Sequence, residues 1–91
     1  MNIDDFAEIL KIGESINTGF KSWNKVSDMK KRINLAVDEL IAFANNKGGT
    51  LYFGVEDNSE VTGCDGNYDL QNIIESIYEK TRPSIFVDPE E

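Results

Sequence analysis

The sequence lacks the residues that build disulfides and soft-metal sites. It has no histidine and a single cysteine, Cys64, so an internal disulfide is impossible and the usual zinc ligands are missing. Any bound metal would have to be a hard cation held by carboxylates. Cys64 itself is predicted to be a small buried strand residue, since no base or metal ligand accompanies it.

Long apolar segments are also missing. No apolar run approaches the roughly 20 residues that a membrane-spanning helix requires. The first residues, Met1 to Asp5, carry acid where a secretory signal would carry positive charge. We therefore expect a cytoplasmic protein with no membrane partner. A length of 91 residues fits a single domain, residues 1–91, with a modest core.

Positive charge is scarce and unevenly placed. The chain has 17 acidic and 9 basic residues, and the resulting net charge of −8 repels nucleic acid unless the basic residues are clustered. From Glu56 to Glu79 every charged residue is acidic, whereas Asp28 is the only acid between positions 21 and 32. The basic cluster consists of Lys21, Lys25, Lys30, Lys31 and Arg32.

The apolar pattern of the first half predicts two helices and a strand. Asp4 or Asp5 can cap a first helix that ends at Gly13, and residues 18–23 form a short strand. Ser27 is the predicted cap of the second helix. Spacings of three and four predict that this helix buries one stripe, made of Met29, Ile33, Ala36, Val37, Leu40, Ile41 and Ala44.

The second half predicts a hairpin and a third helix. Residues 45–49 form a glycine-containing turn, and residues 50–55 form a central strand covered on both faces. Residues 60–64 return as its hairpin partner, a third helix ends at Arg82-Pro83, and residues 85–87 begin another strand. This order predicts an α+β fold, a mixed α/β sandwich whose small mixed sheet, with a central β-hairpin, packs against two or three helices.

Residues 42–64, AFANNKGGTLYFGVEDNSEVTGC, carry a family resemblance. The string resembles the signature of the DNA-binding domain family shared by bacterial transcriptional regulators and Schlafen proteins, the Schlafen AlbA-2-like domain. Its structural motif contains Asn45, Gly48, Gly49 and Gly54. The resemblance extends over roughly residues 13–88 and implies a partial domain, because the family's later strands are missing.

The resemblance implies two activities. Bacterial relatives are DNA-binding modules at the front of transcriptional regulators. Schlafen relatives include metal-dependent ribonucleases, with Mg²⁺ or Mn²⁺ as metal and three acids at positions matching Glu14, Gly19 and Asp57. Because Gly19 carries no carboxylate, we expect no catalysis and no cofactor. In the simpler interpretation, Glu14 is a surface residue and Asp57 a turn residue.

The basic cluster admits a functional and a structural interpretation. Its lysines and arginine could contact phosphates of DNA or RNA, with Trp23 stacked on an unpaired base. Alternatively, the cluster is a solvated helix start and Trp23 belongs to the core. The turn at residues 45–49 could hold an anion, but its glycines are better explained by the tight connection. We expect a non-catalytic module that binds nucleic acid weakly.

A third interpretation is a protein-interaction module. A short sheet whose last strand has no following partner exposes an edge, and such an edge can pair with another chain. The sequence therefore also predicts a homo-oligomer formed through a sheet edge. The net charge of −8 favours this interaction module, whereas the family resemblance favours nucleic-acid binding.

Overall fold

Helices and strands alternate along the chain in a computed structural model, which describes residues 3–81. The elements are α1 (Ile3–Ile12), β1 (Thr18–Lys21), α2 (Met29–Ala44), β2 (Thr50–Phe53) and α3 (Leu70–Thr81). This arrangement confirms the α+β class. Within the described range, no helix is long and apolar enough to cross a membrane. The predicted helix end at Arg82-Pro83 and the strand at residues 85–87 lie outside the described residues.

The sheet is a parallel pair rather than a hairpin. β1 and β2 pair in register from Thr18 with Thr50 to Lys21 with Phe53, and α2 is the crossover between them. Within residues 3–81 the sheet has only these two strands, so β2 is not central there. The predicted returning strand at residues 60–64 is reduced to one isolated bridge between Val55 and Val61.

The backbone after β2 explains why no hairpin ladder forms. Gly54 has φ +87°, and its carbonyl accepts hydrogen bonds from the N–H groups of both Thr62 and Gly63. Because residues 62 and 63 both bond to Gly54, residues 50–55 and 60–64 form no strand ladder beyond the single bridge. Cys64, predicted as a buried strand residue, is instead half-buried and lies outside the strands. Burial raises the pKa of its thiol.

The helix ends differ from the predicted caps by one or two residues. α1 begins at Ile3, so Asp4 and Asp5 lie in its first turn, where negative charge favours the helix dipole, instead of capping it. α1 ends before Gly13, as predicted, and Gly13 has φ +86°. For α2 the cap is Asp28 rather than Ser27, because the Asp28 carboxylate accepts the N–H of Lys30 at 3.0 Å.

The core lies between one face of the sheet and helices α2 and α3. Ala36 and Val37 of α2 and Ile77 of α3 are buried there, against Leu51 and Phe53 of β2. The predicted stripe of α2 is correct for Ala36 and Val37, which are buried, and for Ile33 and Leu40, which pack against this core. Ile41, at 40%, and Ala44 are exposed, and Phe43 is buried instead. Strand side chains alternate between faces, so Phe20 and Tyr52 lie on the opposite face.

The opposite face is aromatic and is contacted by α1. Phe20 is fully buried, and its ring lies 6.1 Å from that of Tyr52, centroid to centroid. The ring of Phe6 in α1 lies 5.6 Å from Tyr52. α1 itself has no buried residue, and this aromatic contact joins it to the sheet.

The glycine turn joins the end of α2 closely to the start of both strands. The N–H of Gly48 donates to the carbonyl of Phe43 at 2.7 Å, and Gly48 has φ +93°. A Cβ on Gly49 would lie 2.7 Å from Cγ of Phe43 and 2.8 Å from the carbonyl oxygen of Asn17. Asn45 is the C-cap of α2. The geometry therefore gives Asn45, Gly48 and Gly49 the connecting role that the motif suggests.

Candidate nucleic-acid interface

Trp23 lies in the turn after β1 and is only 4% exposed. Its indole Nε1–H donates to the carbonyl of Asp65 at 3.0 Å. Its ring centroid lies 5.6 Å from that of Phe53, edge to face, and 5.2 Å from that of Tyr68. The side chain is therefore a core residue with a satisfied donor, and its ring is not presented to a base from solvent.

Arg32 fixes the turn containing Trp23 to the start of α2. Its Nε–H donates to the backbone carbonyl of Trp23 at 3.0 Å, and its guanidinium carbon lies 4.2 Å from the centroid of the indole ring. The N–H of Val26 donates to the same carbonyl at 3.3 Å. Arg32, predicted as a phosphate contact, is thus half-buried and engaged in a cation–π and hydrogen-bond contact.

The contact between Arg32 and Trp23 brings the exposed lysines to one end of the molecule. Lys25 lies in the turn that begins at Trp23, and Lys30 and Lys31 lie in the first turn of α2; all three are exposed. Lys21, at the end of β1, is half-buried. Cations near a helix N-terminus oppose the helix dipole, and the Asp28 carboxylate that caps α2 offsets this opposition.

Glu56 is a buried acid that the sequence interpretation missed. Its carboxylate accepts from the Thr62 hydroxyl at 2.5 Å and pairs with the Lys25 ammonium at 3.2 Å. The hydrogen bond from Thr62, helped by Ser22 and Lys25, holds the pKa of Glu56 below its usual value of 4.5, although burial opposes this effect. Because the Lys25 side chain is 76% exposed, solvent screening weakens this ion pair.

The three positions matching the ribonuclease acids lie in different surroundings. Glu14 is exposed, and its carboxylate accepts the N–H of Phe20 at 2.8 Å on the outer edge of β1. Asp57 is an exposed residue in the turn after β2. The Glu39 carboxylate of α2 occupies the space where a side chain at Gly19 would begin. Across residues 3–81, no group of three or more His, Cys, Asp or Glu residues is placed to hold a metal ion.

Comparisons with known proteins agree with the resemblance in the sequence. The family model described as Schlafen, AlbA_2 matches residues 14–91, which is most of the chain. No solved structure matches the chain. The chain therefore belongs to the Schlafen AlbA_2 family.

Proposed function

We propose that this chain is a non-catalytic nucleic-acid-binding module of a transcriptional regulator, which binds the phosphate backbone of DNA or RNA. The observation that carries the proposal is the set of exposed lysines, Lys25, Lys30 and Lys31, held at one end of the molecule by the contact between Arg32 and Trp23. Family membership supports the same conclusion. We call these three residues the lysine end and leave Trp23 and Arg32 out of it.

Binding at the lysine end should be weak and salt-sensitive. Each lysine that contacts a phosphate releases condensed counterions, and three such contacts give a slope of about −3 for log K against log salt. The net charge of −8 opposes the approach of a polyanion, so measurable affinity requires low salt. Phosphate contacts carry no sequence information, so the lysine end by itself should give no preference among sequences.

The test compares two triple variants with the same change in charge. Lys25→Ala/Lys30→Ala/Lys31→Ala removes the lysine end, whereas the control Lys11→Ala/Lys47→Ala/Lys80→Ala removes lysines from α1, the glycine turn and α3. Fluorescence anisotropy with single-stranded and duplex DNA and RNA at low salt should show weaker binding and a flatter salt slope for the first variant. An equal loss in both variants, or no binding by the unmodified chain, would contradict the proposal.

A protein-interaction role has one specific observation in its favour. On the outer edge of β1, the N–H and C=O groups of Thr18 are paired with Ser15, and the N–H of Phe20 is bonded to Glu14. On the outer edge of β2, the backbone groups of Leu51 and Phe53 pair with no strand in the described part of the chain. We therefore propose the β2 edge as the route to the predicted homo-oligomer.

The oligomer proposal is tested by sedimentation velocity across the micromolar range. Association through an open strand edge should give concentration-dependent dimers or larger species. A single monomeric boundary at every concentration would contradict it, and it would leave the nucleic-acid proposal unaffected.

A further inference from the structure

A groove of about 230 Å³ opens between the first turns of α2 and α3. Its floor is apolar, formed by Met29 and Ile33 of α2 and Ile73 of α3. Tyr68, on the segment before α3, lines the groove as one wall, and Asn67 and Asn72 also belong to the lining. None of its lining residues belongs to the basic cluster or to the three positions Glu14, Gly19 and Asp57.

We propose that the groove binds one unpaired nucleobase of a single strand whose phosphates contact Lys30 and Lys31. This inference rests on the proposed function and names its substrate class. Lys30 follows directly in sequence on Met29, a residue of the groove floor, so the cations and the groove share the first turn of α2.

The size and the lining of the groove favour a single planar ring. Ordinary ligand pockets have volumes of about 300–1,000 Å³, so a groove of 230 Å³ suits one base rather than a whole nucleotide. A base presents apolar faces and polar edges. The floor of Met29 and Ile33 and the wall of Tyr68 match the faces, whereas carboxamides such as that of Asn72 can both donate to and accept from an edge.

The charges around the groove favour the base inside it and the phosphates outside it. Asp69 lies in the lining, and its carboxylate accepts the N–H of Asn72 at 3.4 Å at the start of α3. Among residues 3–81 no lysine or arginine lines the groove, so a phosphate gains nothing there by entering it and stays at Lys30 and Lys31. An acceptor inside the groove favours bases with an exocyclic amino group, such as adenine, over thymine or uracil.

The chain contains a reporter for this site. Trp23 is the only tryptophan, and its ring lies 5.2 Å from Tyr68, the groove wall. A base that packs against Tyr68 should therefore change the fluorescence of Trp23. An oligonucleotide held only by the exposed lysines should leave this fluorescence unchanged.

The experiment titrates the protein at low salt with three single-stranded octamers: oligo-adenine, oligo-thymine and an abasic strand of equal charge. We expect oligo-adenine to bind roughly 5- to 160-fold more tightly than the abasic strand, which is the contribution of one stacked base, and to change Trp23 fluorescence. Oligo-thymine should fall between them. Asn72→Leu should reduce the preference for adenine over the abasic strand, because it removes a carboxamide that can bond the base edge. Asn34→Leu, the same substitution at an exposed position of α2, should leave this preference unchanged.

The outcomes separate this inference from the proposed function. Equal binding of adenine and abasic strands, with loss of both in the triple lysine variant, would overturn the groove proposal and leave phosphate binding in place. Binding of none of the strands would overturn both. A base preference that Asn72→Leu leaves intact would place base recognition elsewhere and overturn the groove proposal as well.

Discussion

Replacing Arg32 by lysine separates a structural role for this residue from a role in phosphate contact. The substitution keeps the positive charge but removes the planar guanidinium that lies 4.2 Å from the Trp23 ring centroid and donates Nε–H to the Trp23 carbonyl. A partly desolvated cation–π contact contributes about 0.5–2 kcal/mol, and a hydrogen bond from a charged donor about 1.5–3 kcal/mol. The two contacts share both residues, so their energies do not add fully.

We therefore expect Arg32→Lys to lower the free energy of unfolding by about 2 kcal/mol, which for a domain of this size lowers the melting temperature by about 10 °C. Urea unfolding followed by the fluorescence of Trp23 measures this, because the tryptophan lies at the contact itself. Lys31→Arg is the matched control, since it makes the reverse exchange at an exposed position of the same helix turn. It should change stability by less than about 0.5 kcal/mol.

Binding measured on the folded Arg32→Lys variant completes the test. Because the charge is retained and the contact is structural, affinity for nucleic acid should stay within about twofold of the unmodified chain. Unchanged stability together with a clear loss of affinity would refute the reasoning and return Arg32 to the contact surface.

Two further substitutions test the described contacts. Glu56→Gln should make the free energy of unfolding fall less steeply at low pH. The pKa of Glu56 is lowered in the folded state, so the carboxylate stabilises the fold fully above its usual pKa of 4.5 and loses this effect as pH falls through the folded pKa. Urea unfolding between about pH 6 and pH 3 measures this, and parallel curves would contradict it. Gly19→Ala should destabilise less when Glu39→Ala has removed the overlapping carboxylate. A double-mutant cycle should give at least about 0.5 kcal/mol of coupling, and strict additivity would contradict the overlap.

Local periodicity was enough to predict the helices but not every detail of their ends. The spacing of Ala36 and Val37 identified the buried stripe of α2, and Gly13 marked the end of α1. The cap of α2 was misassigned because Ser27 and Asp28 are adjacent and both are good cap residues. The residue with extended backbone at the helix start is the cap, here Asp28 with φ −108° and ψ 121°. Two adjacent residues with similar cap preference do not show which of them adopts that conformation.

The pairing of the strands and the burial of Trp23 depend on contacts between residues that are distant in sequence. The turn at residues 56–59 predicted a hairpin, but β2 pairs with β1, which precedes it by a whole helix. The indole of Trp23 is buried through a hydrogen bond to Asp65, a residue 42 positions away. Likewise, Glu56 is buried and Asp57 is exposed in the turn after β2, and composition alone cannot decide which of two adjacent acids is buried.

The parallel arrangement explains why the candidate binding features meet at one end. The carboxyl ends of β1 and β2 lie at the same edge of the sheet, and α2, which follows β1, begins near this edge. α3 runs in the same direction as α2, because the first turns of both line the groove while Ile77 packs with Ala36 and Val37 farther along. The lysine end and the groove therefore share this end of the sheet.

Two of the positions that match the ribonuclease acids, Glu14 and Gly19, lie away from the lysine end and the groove. Glu14 lies against the outer edge of β1, and the space above Gly19 faces α2 and is filled by Glu39. Neither Glu14 nor Gly19 contributes to the lysine end or to the groove. A side chain can therefore be lost at position 19 without altering either feature. We therefore expect a substitution at position 19 to leave the proposed binding at the lysine end and in the groove unchanged.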